Sequence, residues 1–268
     1  MNTSDTTVSV ADLKKTFFDE SRGEVKAVDG ITFSCVPGEV FGLLGANGAG
    51  KTTTLRMLST VLKPTEGSAS VMGHDVLNEP EATRENLGFY SASTSLYPRL
   101  TGRETLEFFA RINHYPPEKV AKRVGKMVAR FGIEEYMNAR VEKLSSGMKQ
   151  KVSIARTVVH DPPVLIFDEP TVGLDVLNAI EMVKVIRQLR DEGKTIIFSS
   201  HIMSEVEKLC DRIAILHRGR ILALGTLESL RQATSLHYLE DIFVHYVTEA
   251  EGVEGAGIGA TGEFEASK

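Results

Sequence analysis

Gly45-Ala46-Asn47-Gly48-Ala49-Gly50-Lys51-Thr52 is an uninterrupted instance of G-x-x-x-x-G-K-[ST]. Val40-Phe41-Gly42-Leu43-Leu44 before it reads as a short buried strand, and Thr53-Thr54-Leu55-Arg56-Met57-Leu58 after it reads as a helix. Strand, glycine loop and helix in this order predict a phosphate cradle. The glycines let the backbone take positive φ and turn several N–H groups inward, and the helix N-terminus adds partial positive charge. Lys51 is placed to reach the β- and γ-phosphates and the Thr52 hydroxyl to ligate Mg²⁺.

Further along, Val164-Leu165-Ile166-Phe167 reads as a second buried strand ending on Asp168-Glu169. At the carboxyl end of a parallel strand beside a phosphate cradle, Asp168 is where a Mg²⁺ or its water needs an acceptor. Glu169, one residue on, is the candidate general base for an attacking water. Residues 171–175 make the exit turn, and Asn178 is expected to cap a helix through Leu189 that Gly193 terminates. Thr195-Ile196-Ile197-Phe198-Ser199 is the next buried strand, which puts His201 on the same sheet edge as Asp168. A lone histidine there is more often structural, but the adjoining site favours a contact with the γ-phosphate.

The rest of the chain fits an α/β domain around this centre. At 268 residues it suits one such domain with an inserted subdomain, or two small domains. Residues 8–18 and 25–35 read as an antiparallel pair with Phe17 and Phe18 near its turn. One of these rings is suited to stacking on a purine, with a core or edge-strand role as the equal alternative. A short strand is expected over residues 68–71. From Pro98 to about His160 the character is helical. Thr101-Gly102-Arg103-Glu104 is a capping box, Val120, Val124, Met127, Val128 and Phe131 repeat at helical spacing, and Leu144-Ser145-Ser146-Gly147-Met148 precedes a helix expected over residues 149–159. Residues 212–216 and 220–224 form a hairpin at the sheet edge, followed by a helix over residues 239–247 and a tail of Gly, Glu and Ala expected to be disordered.

A net charge of −5 with dispersed basic residues gives no electrostatic reason to expect nucleic acid. Cys35 and Cys210 lack metal-ligand spacing and read as buried or bystander thiols of a reducing compartment. No signal peptide is read at the start, and no apolar run approaches the roughly 20 residues of a membrane span. If the protein acts at a membrane, something else crosses it.

The phosphate loop, Leu-Ser-Ser-Gly-Met at 144–148, Asp168-Glu169, Gly173-Leu174-Asp175 and His201, in this order and spacing, resemble the ATP-binding subunit of an ABC transporter. The similarity runs from about Val8 to Gly225. Weaker cues, including Leu96-Tyr97-Pro98-Arg99-Leu100-Thr101 and Gly147-Met148-Lys149-Gln150-Lys151, are most similar to the branch that drives ABC-2-type exporters, the sodium-extruding NatA-type ATPases among them. The resemblance implies a P-loop NTPase core of RecA-like α/β fold, with an N-terminal antiparallel β subdomain and an α-helical insertion at about 98–160. These make one ATPase domain over residues 1–225, with residues 226–268 as a short extension.

By the same resemblance, ATP and Mg²⁺ are the cofactors. Phe17 takes the place of the adenine-stacking aromatic, and the loop from Gly45 to Thr52 with Thr53 binds nucleotide. Thr52 and Asp168 meet the metal, and Lys51, Glu169 and His201 do the chemistry. Leu144, Ser145, Ser146, Gly147 and Met148 match the signature that contacts ATP on the opposite subunit of a head-to-tail dimer, and Asp175 matches the residue that communicates across it. The implied partner is an integral membrane permease, and the implied place the cytoplasmic face of the membrane. The alternative is a soluble ATPase of this type acting on nucleic acid or ribosomes, against which stand the single cassette, the absent coiled-coil insertion and the missing basic patch. The chain departs from the family pattern at Ser146 and Met148, where glycine and glutamine are common, and more seriously at Ala92, where the family's Q-loop has a glutamine. Ser91, Ser93 and Thr94 offer hydroxyls within two residues of Ala92, and one of them is expected to hold a Mg²⁺-bound water instead, with a loop that serves only as a coupling surface as the equal alternative.

Overall fold

The computed structural model describes residues 6–21 and 23–252. In chain order, β1 (Val8–Asp19) and β2 (Gly23–Cys35) lead to β3 (Val40–Leu44), α1 (Lys51–Leu58), β4 (Glu66–Val71), β5 (His74–Asp75), α2 (Pro80–Glu85) and β6 (Leu87–Ser91). Three helices follow, α3 (Gly102–Ile112), α4 (Val120–Phe131) and α5 (Ser146–Val158). The chain then returns through β7 (Val164–Asp168), α6 (Val176–Asp191), β8 (Thr195–Ser200), α7 (Met203–Leu209), β9 (Arg212–His217) and β10 (Arg220–Gly225), and closes with α8 (Leu227–Thr234) and α9 (Leu239–Glu251).

Two sheets result. One is antiparallel with order β2-β1-β4-β5; the other has order β10-β9-β3-β8-β7-β6 and is parallel except for the β9–β10 hairpin. Strand periodicity explains how the six-stranded sheet serves two cores, because successive side chains point to opposite faces. Phe41 and Leu43 of β3, with Val164 and Ile166 of β7, pack toward the antiparallel sheet and α1. Val40, Leu44, Leu165 and Phe167 pack toward the helices on the other face. Every residue of β3, β7 and β8 is buried, and each fully buried Phe, such as Phe41, Phe167 or Phe198, contributes about 1.5–3 kcal/mol over an exposed one. The parallel order brings the carboxyl ends of β3, β7 and β8 to one edge, where the candidate residues lie.

The helical stretch starts as its sequence dictates. Thr101 Oγ1 accepts from the Glu104 N–H at 3.1 Å while Glu104 Oε2 accepts from the Thr101 N–H at 2.8 Å, the reciprocal pair of a capping box. Gly132, at φ 59°, closes α4.

Some boundaries differ from expectation. α5 begins at Ser146 rather than Lys149, because the Ser145 hydroxyl caps it by accepting from the Met148 N–H. α6 begins at Val176 rather than after Asn178. Asp175 is the cap, its carboxylate accepting from the Asn178 N–H at 3.0 Å, so Asn178 is already in the first turn. The backbone N–H of Asn178 holds the Asp175 carboxyl below its ordinary pKa. α2, led by Pro80, the two-residue β5 and the Thr226-capped α8 had no expected counterpart, and α9 runs on to Glu251 until Gly252 ends it at φ 67°. The Gly, Glu and Ala tail, residues 253–268, lies outside the described residues. Cys35 is buried and Cys210 half-buried, both as free thiols. Among the described residues no helix is long and apolar enough to cross a membrane.

Candidate active site

The glycine loop spans from the end of β3 to the N-terminus of α1. Gly48 sits at φ 82° and Gly50, the residue capping α1, at φ 104°. At Gly50 a side chain is excluded twice: the backbone is left-handed, and a Cβ would lie 2.6 Å from the Ala27 carbonyl oxygen of β2. The loop encloses a cavity of about 310 Å³ lined by Ala46, Asn47, Gly48, Ala49, Gly50, Lys51, Thr52 and Thr53, with Ala27 and Glu169. The Gly45 carbonyl accepts from Lys51 Nζ at 2.6 Å and the Ala46 carbonyl at 3.2 Å, which folds the lysine back over its own loop.

The carboxylates arrive from β7. Asp168 is 5% exposed, and its Oδ1 accepts from the Thr52 hydroxyl at 3.2 Å and from the Ser199 hydroxyl at 2.7 Å. Glu169 takes a left-handed backbone at φ 50°, a conformation that costs a non-glycine residue about 1–3 kcal/mol. Its N–H donates to Ser199 Oγ at 3.0 Å, so the same serine anchors both acidic residues. Glu169 Oε1 lies 3.3 Å from Lys51 Nζ and 3.1 Å from His201 Nδ1. Ser199 was readable only as a strand residue; the one signal for it is a hydroxyl near the strand end, two residues before His201.

The remaining predicted residues are distributed around this centre. Phe17 is 42% exposed with Lys15 Nζ 5.2 Å from its ring centroid. It pairs with Val25 of β2, the strand that reaches the cavity at Ala27. Leu144 is buried, Ser145 and Ser146 are exposed, and Gly147 and Met148 half-buried; none lines the cavity around Lys51. A Cβ at Gly147 would lie 3.8 Å from Leu174 Cδ2, and Leu174 precedes the Asp175 cap, so the capped start of α5 and the exit turn approach each other. Ala92 lines a separate cavity of about 400 Å³ with Tyr90, Ser91 and Gln150. Of the three nearby hydroxyls, Ser91 stands in register beside Asp168 and bonds Ser93 Oγ at 3.0 Å, while Ser93 also accepts from Arg56 at 3.3 Å. Gln150 was not singled out for a role by sequence reasoning.

A family model described as ABC transporter matches residues 28–172, more than half of the chain. The chain belongs to the ABC transporter family. It is similar to the ABC transporter ATP-binding protein NatA of Bacillus subtilis (strain 168), 41% identical over 238 residues that make up 88% of this chain and 96% of that protein. Against the linearmycin resistance ATP-binding protein LnrL of the same organism the identity is 38% over 208 residues, 78% of this chain and 67% of that one. A solved ATP-binding subunit of an ABC transporter superposes with a TM-score of 0.82 at 30% identity, covering 90% of this chain and 99% of that one. The P-loop NTPase fold expected from the sequence is thus borne out, and this ABC ATP-binding protein is an ATPase.

Proposed function

We propose that the chain hydrolyses MgATP in a head-to-tail dimer at the cytoplasmic face of the cell membrane and so powers export through a separate integral membrane permease. The observation that carries this reading is the meeting of Lys51, Glu169 and His201 beside the phosphate loop. Phosphoryl transfer to water asks the protein for position and charge stabilisation rather than covalent chemistry. The loop N–H groups and Lys51 hold the β- and γ-phosphates, His201 reaches the γ-phosphate, and Phe17 stacks on adenine. When Lys51 turns from the carbonyls of its own loop to phosphate, it leaves the Glu169 carboxylate to take a proton from the attacking water.

Thr52 and Asp168 would hold Mg²⁺, which supplies charge neutralisation on the phosphates. A hydroxyl and a buried carboxylate 3.2 Å apart form an all-oxygen donor set that suits a hard cation keeping several waters. The signature residues Ser145, Ser146 and Gly147 at the capped start of α5 form an anion site with no phosphate loop beside it, which fits ATP held by the opposite subunit, identical or paired, with Asp175 communicating between sites. Residues 1–225 then form the ATPase domain with its helical insertion at about 98–160, and residues 226–268 an extension.

The names of the relatives, a transporter and a resistance ATP-binding protein, support export over a nucleic-acid-directed ATPase. Sodium is the proposed cargo on the strength of the resemblance to NatA-type ATPases. The test is MgATP turnover by the full chain with its co-purified membrane subunit in vesicles. Sodium efflux lost in Glu169→Gln is the expected result; salt-sensitive RNA or DNA binding with no membrane partner would favour the alternative.

A further inference from the structure

Gln150 lies in the second turn of α5, the helix whose first turn carries the signature. Its Nε2 donates to the Pro170 carbonyl at 2.6 Å and to the Val172 carbonyl at 3.2 Å. Both acceptors belong to the turn between Glu169 and Asp175. Tyr90 of β6 approaches the same amide, and Gln150 shares a cavity with Ala92. On the far side of the turn the Thr171 hydroxyl donates to Glu205 of α7 at 2.8 Å. Within the turn, the Val172 N–H returns to the Glu169 carbonyl and the Leu174 N–H to that of Thr171.

We infer that Gln150 is a positioning residue for ATP hydrolysis, fixing the turn from Glu169 to Asp175 to the helix that carries the signature, so that the two move together. The inference rests on the reading of Glu169 as the general base. Glu169 occupies a left-handed backbone that persists only where its surroundings over-determine it. Ser199 holds it from the sheet side through its N–H. Gln150 holds the next residue from the helix side with a single nitrogen whose two protons match two carbonyls. A dipeptide step from base to anchor leaves little slack, and displacement of a catalytic group by about 1 Å can cost about 10²-fold in rate.

The test is steady-state ATP hydrolysis by the full chain. Gln150→Met keeps the length and removes both donors; kcat should fall about 10- to 100-fold while KM for ATP is unchanged, since no atom of Gln150 lines the phosphate cavity. Gln150→Arg returns N–H donors and should recover most of the rate, whereas Gln150→Glu puts an acceptor against two carbonyls and should be as slow as Gln150→Met. Wild-type kcat in Gln150→Met, a Gln150→Arg protein no faster than Gln150→Glu, or a loss confined to KM would each overturn the inference. If Gln150→Met does not fold, the arginine and glutamate variants carry the comparison. Glu169→Gln is measured alongside: should it turn over normally, the base assignment itself fails, and should it be inert while Gln150→Met turns over at the wild-type rate, only the role of Gln150 falls.

Discussion

Lys51 Nζ lies 3.3 Å from Glu169 Oε1, with the lysine side chain 5% and the glutamate side chain 22% exposed. Two groups proposed to act on opposite sides of one reaction, the first on phosphate and the second on water, thus hold each other. The pair is buried enough that removing one partner leaves the other's charge poorly compensated.

Glu169→Gln keeps size and hydrogen bonding but not basicity. ATP should still bind, and hydrolysis should fall by about 10²–10⁴-fold. Lys51→Ala should weaken nucleotide binding itself, as read by fluorescent-nucleotide titration. Near-normal turnover by Glu169→Gln would remove the general base from the mechanism.

Assembly gives a second prediction, because Ser145 and Ser146 are exposed and lie outside the cavity around Lys51. ATP should promote dimerisation, most visibly in Glu169→Gln, where the bound nucleotide is not discharged. A Lys51→Ala subunit mixed with a Ser145→Arg subunit restores one intact composite site out of two. A mixture as inactive as each parent, together with sedimentation indifferent to ATP, would exclude the head-to-tail arrangement.

The hydroxyls near Ala92 now separate. Ser91 stands beside Asp168 in the sheet, whereas Ser93 is turned to Arg56. Ser91→Ala should therefore raise the Mg²⁺ concentration needed for half-maximal hydrolysis, and Ser93→Ala and Thr94→Ala should do so less. Ala92→Gln tests whether a longer amide displaces the bridging water. If none of the three alanine variants alters Mg²⁺ dependence, this loop has a mechanical role only.

His160 provides a pH dependence away from the site. Burial is the main cause that lowers its pKa from 6.5 to about 4; Nε2 meets the Leu87 carbonyl at 3.3 Å, and Nδ1 is buried with no hydrogen-bond partner among the described residues. The imidazole is neutral when folded and charges readily when unfolded, so between the two pKa values the unfolded chain binds more protons. Stability from this residue is complete above about pH 6.5 and is lost as pH falls toward about 4, amounting to roughly 3 kcal/mol. Urea melts of wild type and His160→Gln across that window should diverge in slope; parallel curves would refute the assignment.

The sequence by itself determined the cradle, the two carboxylates at the end of β7, the capping box at Thr101 and the antiparallel start, because each is written in contiguous residues. Glycines at forced positive φ, a lysine and a threonine entering a helix, and four apolar residues before Asp-Glu admit few other local structures. The boundaries it misplaced, at Lys149 and Asn178, were decided by which of several neighbouring polar residues captured the helix N–H groups, a local competition that composition does not settle. Tertiary structure alone decided the rest. Ser199 joins Asp168 to Glu169 only because β8 lies beside β7 in register, and Lys51 meets Glu169 across 118 positions of sequence only because the parallel sheet delivers both strand ends to one edge. Gln150 reaches the turn after Glu169 because α5 packs against it, and its partners are backbone carbonyls, which every residue carries and no sequence pattern marks.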